Sequence, residues 1–135
     1  MSDDQNKRDL PVAELSSAAL AYLGDSVLEL CVREHLLRRG LSTASHLNAA
    51  SRDYVTAPAQ AAAMERLLPH LTEQESAVFR RGRNNVHGNI PKKATMAQYR
   101  AATGMECLFA YLHLTQNQAR IDELFALAYL DSESV

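Results

Sequence analysis

No uninterrupted apolar run of the length a bilayer demands occurs in this chain, because Ser, Asp, Glu or Arg breaks every hydrophobic stretch. Nor does a signal-peptide core follow the charged N-terminus. A membrane protein is not expected, and a cytoplasmic one is. Cysteine is scarce: Cys31 and Cys107 lie among apolar residues without a second Cys at metal-ligand spacing. That argues against a zinc site and for two buried, reduced thiols. Val, Ile and Thr are few beside Leu and Ala, and no period-two alternation is bounded by turn residues, so strands are not expected and the fold class is all-α. At 135 residues, one domain can bury roughly two thirds of its unfolded surface without a covalent staple.

Acidic residues are absent from Ser76 to Met105, although the chain has 16 of them. The same stretch carries Arg80, Arg81, Arg83, Lys92, Lys93 and Arg100. Its +6 therefore stands against −8 elsewhere (14 − 6 = 8 cations against 16 acids), a segregation hidden by the net charge of −2. A polyanion is the expected partner.

Cap signals divide the chain. Ser16 or Ser17 opens a long helix with Leu20, Leu23, Val27, Leu30 and Cys31 at helical spacing and Gly40 as its stop, and this helix is expected at the molecule's centre. Helices are predicted from about Thr43 to Tyr54 and from about Pro58 to Leu68, the latter ended by Pro69. Thr72 with Glu75 reads as a capping box for a helix to about Arg81, stopped by Gly82. The turn-forming residues Asn84, Asn85, Gly88, Asn89 and Pro91 predict an exposed, mobile loop between two cationic clusters, with His87 in it. Thr95 caps the next stretch, where Gly104 allows a joint or close packing beside Met105, Leu108, Phe109 and Leu112. A last helix runs from about Gln118 to Leu130. Residues 1–14 and 131–135 read as tails around one domain, 15–130.

Two segments carry a resemblance. Tyr22-Leu23-Gly24-Asp25-Ser26-Val27-Leu28-Glu29-Leu30 resembles the ribonuclease III signature, a glycine-aspartate pair inside a helix. Thr103-Gly104-Met105-Glu106-Cys107-Leu108-Phe109-Ala110-Tyr111-Leu112 resembles that family's later glutamate-bearing helix. Between them, Arg80-Arg81-Gly82-Arg83-Asn84 and Tyr99-Arg100-Ala101-Ala102-Thr103 resemble the Mini-ribonuclease III branch, which has the catalytic domain and no double-stranded-RNA-binding domain.

The resemblance implies an all-helical homodimer that hydrolyses double-stranded RNA with Mg²⁺ and leaves two-nucleotide 3′ overhangs. It also implies a natural substrate, the 23S ribosomal RNA precursor, trimmed at both ends. Asp25 and Glu106 are the candidate catalytic residues and metal ligands, with Glu29 one turn after Asp25 in a supporting role. Arg80, Arg81, Arg83, Lys92 and Lys93 are the candidate RNA contacts. Two positions that are acidic in longer ribonuclease III enzymes are Ala21 and Thr103 here. Thr103 and Glu106 also have capping-box spacing, which needs no metal. For the dimer interface, the Asp25 helix and the segment from His46 to Gln60 are expected.

Other chemistries lack their residues. No histidine is followed by Asp or paired at zinc-motif spacing, and no Gly-x-Ser-x-Gly elbow appears. The alternatives left are a non-catalytic RNA-binding or ribosome-assembly helper, favoured by Ala21 and Thr103, and a helical protein-interaction adaptor.

Overall fold

The computed structural model describes residues 10–86 and 92–130, and every regular element among them is helical. In chain order these are α1 (Ser17–Arg38), α2 (Ala44–Val55), α3 (Ala57–Leu67), α4 (Glu73–Asn84), α5 (Met96–Leu114) and α6 (Gln118–Phe125). Short 3₁₀ turns, Val12–Glu14 and Leu68–His70, precede α1 and α4, and a π-helical turn, Ala126–Leu130, continues α6. Among the described residues, no helix is long and apolar enough to cross a membrane.

Local chemistry sets the boundaries. Ser16 Oγ accepts from the Ala19 amide at 3.1 Å, Thr43 Oγ1 from His46 at 3.3 Å, and Thr56 Oγ1 from Ala59 at 3.4 Å. The Thr72–Glu75 capping box is present, and Thr95 forms a second one with Gln98. At the end of α1, Gly40 adopts φ +92°, its amide donates to Leu37 O, and the Leu41 amide donates to Leu36 O. This pair of bonds closes the helix only where the backbone turns left-handed, which glycine does without steric cost.

Three sequence expectations are corrected. First, α5 rather than α1 is the central helix: it packs against α1, α3, α4 and α6, and buries Met105, Leu108, Phe109 and Leu112. Second, α4 does not stop at Gly82 but continues to Asn84, because that glycine serves close packing. Third, Val12–Glu14, read as tail, form a turn whose Val12, with Leu15, packs on a small second core of Leu20, Cys107 and Ala110. The segment 87–91, most of the predicted loop with His87, lies outside the described residues, as do 1–9 and 131–135.

A partly buried ion pair joins the last helix to the rest. Arg120 at the start of α6 donates to both carboxylate oxygens of Glu75 at 2.8 Å, to Glu123 at 2.8 Å, and to the His70 carbonyl at 2.8 Å. The guanidinium, chiefly, holds the Glu75 carboxyl below its usual range despite burial, and the Thr72 amide assists. It thus joins α6 to the capping box of α4 and to the turn before it.

Candidate active site

Asp25 and Glu106 come from the two helices that approach most closely. A Cβ placed on Gly24 would lie 1.7 Å from the Glu106 carbonyl oxygen, so only glycine lets α1 cross α5 here. Gly104 does the same against α4, where a Cβ would meet the Phe79 ring at 2.6 Å, and Gly82 seats the Cys107 thiol, 2.7 Å from such a Cβ. The glycine immediately before Asp25 is therefore what brings the two acids to one place, while Gly104, two residues before Glu106, seats the same helix against α4.

The carboxyl groups lie within hydrogen-bonding reach of each other. Asp25 is exposed and Glu106 is half-buried. Burial, then the charge of Asp25 and the hydrogen bond to it, pushes Glu106 up to about 8. Two carboxylates in contact, one of them partly desolvated, resist both being charged unless a cation neutralises them. Their hard oxygen donors fit a divalent cation such as Mg²⁺, which uses one or two protein carboxylates and takes its remaining ligands from water and substrate phosphate. Among the described residues no group of three or more His, Cys, Asp or Glu is placed to hold a metal ion.

The remaining candidates fall as follows. Glu29 is half-buried one turn beyond Asp25, and its carboxylate pairs with Arg33 at 3.1 Å. Thr103 and Glu106 do not cap a helix, since both lie inside α5, and the Thr103 hydroxyl donates to the Tyr99 carbonyl at 3.0 Å. Ala21 packs against the second core. Cys31 and Cys107 are free thiols, each pushed up to about 11, first by burial. Neither is a nucleophile at neutral pH.

The basic residues divide by what they touch. Arg80, Lys92, Lys93 and Arg100 are exposed. Arg83 donates to Asn84 Oδ1 at 3.1 Å and lies 5.6 Å over the Phe79 ring. Arg81 donates to the carbonyls of Ala13 and Leu15, a tertiary contact that no sequence signal announces.

The surface has a second feature. On α1, Tyr22 (84% exposed), Leu30 (62%) and Leu37 (58%) are large apolar side chains turned to solvent. A groove of about 420 Å³, lined in part by Leu23, Val27, Leu30 and Phe125, runs along one side of them. A second groove, of about 520 Å³, lies between α1 and α2 and includes Glu29, Leu37 and Leu47.

Comparison with known proteins places these observations in a family. The ribonuclease III domain profile matches residues 18–117. A Mini-ribonuclease 3 from Symbiobacterium thermophilum is 46% identical over 114 residues, covering 84% of this chain and 88% of that protein. One from Enterococcus faecalis is 41% identical over 113 residues, covering 82% and 86%. A crystal structure of a Fusobacterium nucleatum protein superposes with a TM-score of 0.79 over 91% of this chain and 98% of that one, at 24% identity, which bears on the fold.

Proposed function

The chain belongs to the ribonuclease III domain family and is a ribonuclease; from that premise we propose that it cuts double-stranded RNA endonucleolytically with Mg²⁺, as a cytoplasmic homodimer. The single observation that carries this reading is the apposition of Asp25 and Glu106 at the Gly24 crossing. Asp25 and Glu106 would hold the ion. Bound there, it would activate water and neutralise charge on the phosphoryl oxygens.

The protein's own part is positioning. Gly24 sets the Asp25 helix against the Glu106 helix, Gly104 seats the latter on α4, and Glu106 is half-buried at the crossing. Arg80, Arg83, Lys92 and Lys93 would meet phosphates of an A-form duplex, which is recognised through shape, phosphates and 2′-hydroxyls more than through base edges. Glu29, held by Arg33 on the Asp25 face, would shape the field around the pair.

A duplex has two strands and each chain has one carboxylate pair, so a twofold dimer matches the substrate. The apolar row Tyr22, Leu30 and Leu37, with its flanking grooves, is the surface we assign to that contact, with α2 beside it. Staggered cuts with two-nucleotide 3′ overhangs would follow. As natural substrate we propose the 23S ribosomal RNA precursor, on the strength of the likeness to Mini-ribonuclease 3 proteins.

Incubating the purified protein with duplex RNA, with Mg²⁺ or with chelator, tests the reading. Paired cuts with 5′-phosphate ends, dependent on Mg²⁺, are expected. Duplex binding without cleavage at any Mg²⁺ concentration would instead support a non-catalytic RNA-binding helper.

A further inference from the structure

Arg81 stands in the cationic run, yet its surroundings are those of a brace. From the last turns of α4 its guanidinium donates to two carbonyls, Ala13 O at 3.4 Å and Leu15 O, on the segment that leads into the α1 cap at Ser16. That segment lays Val12 and Leu15 on the second core, formed by Leu20 of α1 with Cys107 and Ala110 of α5, with Val78 of α4 beside them. Within the same junction, Cys107 Sγ donates to the Ser17 carbonyl at 3.3 Å, and Gly82, next to Arg81, gives the Cys107 thiol its space. Asp25 lies two turns beyond Ser17 along α1, and Glu106 adjoins Cys107 on α5. The three helices thus meet at one joint, one residue from Glu106 on α5 and two turns from Asp25 on α1, and Arg81 ties its outer edge.

We propose that Arg81 is a positioning residue, which fixes the first turns of α1 against α4 and α5 and so sets Asp25 against Glu106, rather than one of the phosphate contacts. The proposal rests on the ribonuclease reading for its kinetic consequence, not for its structural one. The planar guanidinium fork reaches two carbonyls at once, whereas a lysine ammonium keeps the charge but not that geometry. Charge and geometry therefore separate in the pair Arg81→Ala and Arg81→Lys, with Arg80→Ala as the phosphate-contact comparison.

The test measures three quantities for the intact protein and these variants: amide hydrogen exchange over residues 17–23, the salt dependence of duplex RNA affinity without Mg²⁺, and cleavage kinetics. Arg81→Ala and Arg81→Lys should both exchange faster at the start of α1, both keep the wild-type salt slope, and both lower kcat about tenfold or more with little change in KM. Arg80→Ala should leave exchange unchanged and flatten the slope by roughly 0.7–0.9. A flattened slope in Arg81→Ala that Arg81→Lys restores, or wild-type exchange at residues 17–23 in both Arg81 variants, would overturn the proposal. Failure of the wild-type protein to bind or cut RNA would overturn the ribonuclease reading instead, and the exchange measurement would still decide the role of Arg81 in the fold.

Discussion

At Gly24 a methyl group would fall 1.7 Å from the Glu106 carbonyl oxygen, a distance no pair of helices tolerates without separating. Gly24→Ala should therefore lower stability by about 3 kcal/mol or more, read as a drop in thermal midpoint, and raise the Mg²⁺ concentration needed for cleavage. An alanine variant that melts with the wild type would contradict the close crossing. Thr103 offers the opposite experiment. Its hydroxyl is spent on the Tyr99 carbonyl, so Thr103→Asp loses one local bond and adds a third carboxylate one turn before Glu106. The Mg²⁺ concentration for half-maximal cleavage should fall while duplex affinity changes little. A folded variant that needs more Mg²⁺ would show that Thr103 faces away from the metal.

Among the elements, α6 is held by its buried Ile121, Leu124 and Phe125 and by one polar tie to α4, the Arg120–Glu75 pair. Removing one partner leaves a desolvated charge, so Glu75→Gln or Arg120→Ala should cost roughly 3 kcal/mol. The pH dependence has a definite sign. The folded Glu75 carboxyl titrates lower than the unfolded one, so its contribution is complete above the unfolded value of 4.5 and is lost as pH falls through the folded value. Thermal melts from pH 7 to pH 3 should show the wild type losing its advantage over Glu75→Gln below about pH 4.5. A constant gap across that range would contradict the assignment.

The helices were legible in sequence where one cap residue decides them: Ser16, Thr43, Thr72 with Glu75, and Thr95 all act where the local pattern places them. Gly82 reads as a stop in sequence because a stop signal and a close-packing site use the same residue, and the position of Cys107 tells them apart. The π-helical turn at Ala126–Leu130, whose Ala128 carbonyl accepts from Arg66 at 2.6 Å, has no local signature. The two acids were readable from their motifs. Their mutual contact and the tie from Arg81 were not, because both depend on which helices cross.

For the whole molecule, Tyr22, Leu30 and Leu37 set three large apolar side chains among the exposed polar residues of α1, an arrangement that a second copy would relieve. Leu30→Glu should shift sedimentation from dimer to monomer while keeping the helical circular dichroism signal, because Leu30 contributes nothing to the buried core. An unchanged dimer would move the interface elsewhere. The charge pattern belongs to the same scale: the stretch from Ser76 to Met105 carries six cations and no acid, while the carboxylate pair lies at the α1–α5 crossing.

We assign the reactive centre to Asp25 and Glu106. Single-turnover cleavage of duplex RNA by Asp25→Asn in excess Mg²⁺, alongside its duplex affinity, tests that claim most directly. Asparagine keeps the shape and one oxygen but loses the charge that holds a hard cation, so the rate should fall by several powers of ten while affinity holds or rises. Cleavage by Asp25→Asn at close to the wild-type rate would contradict it.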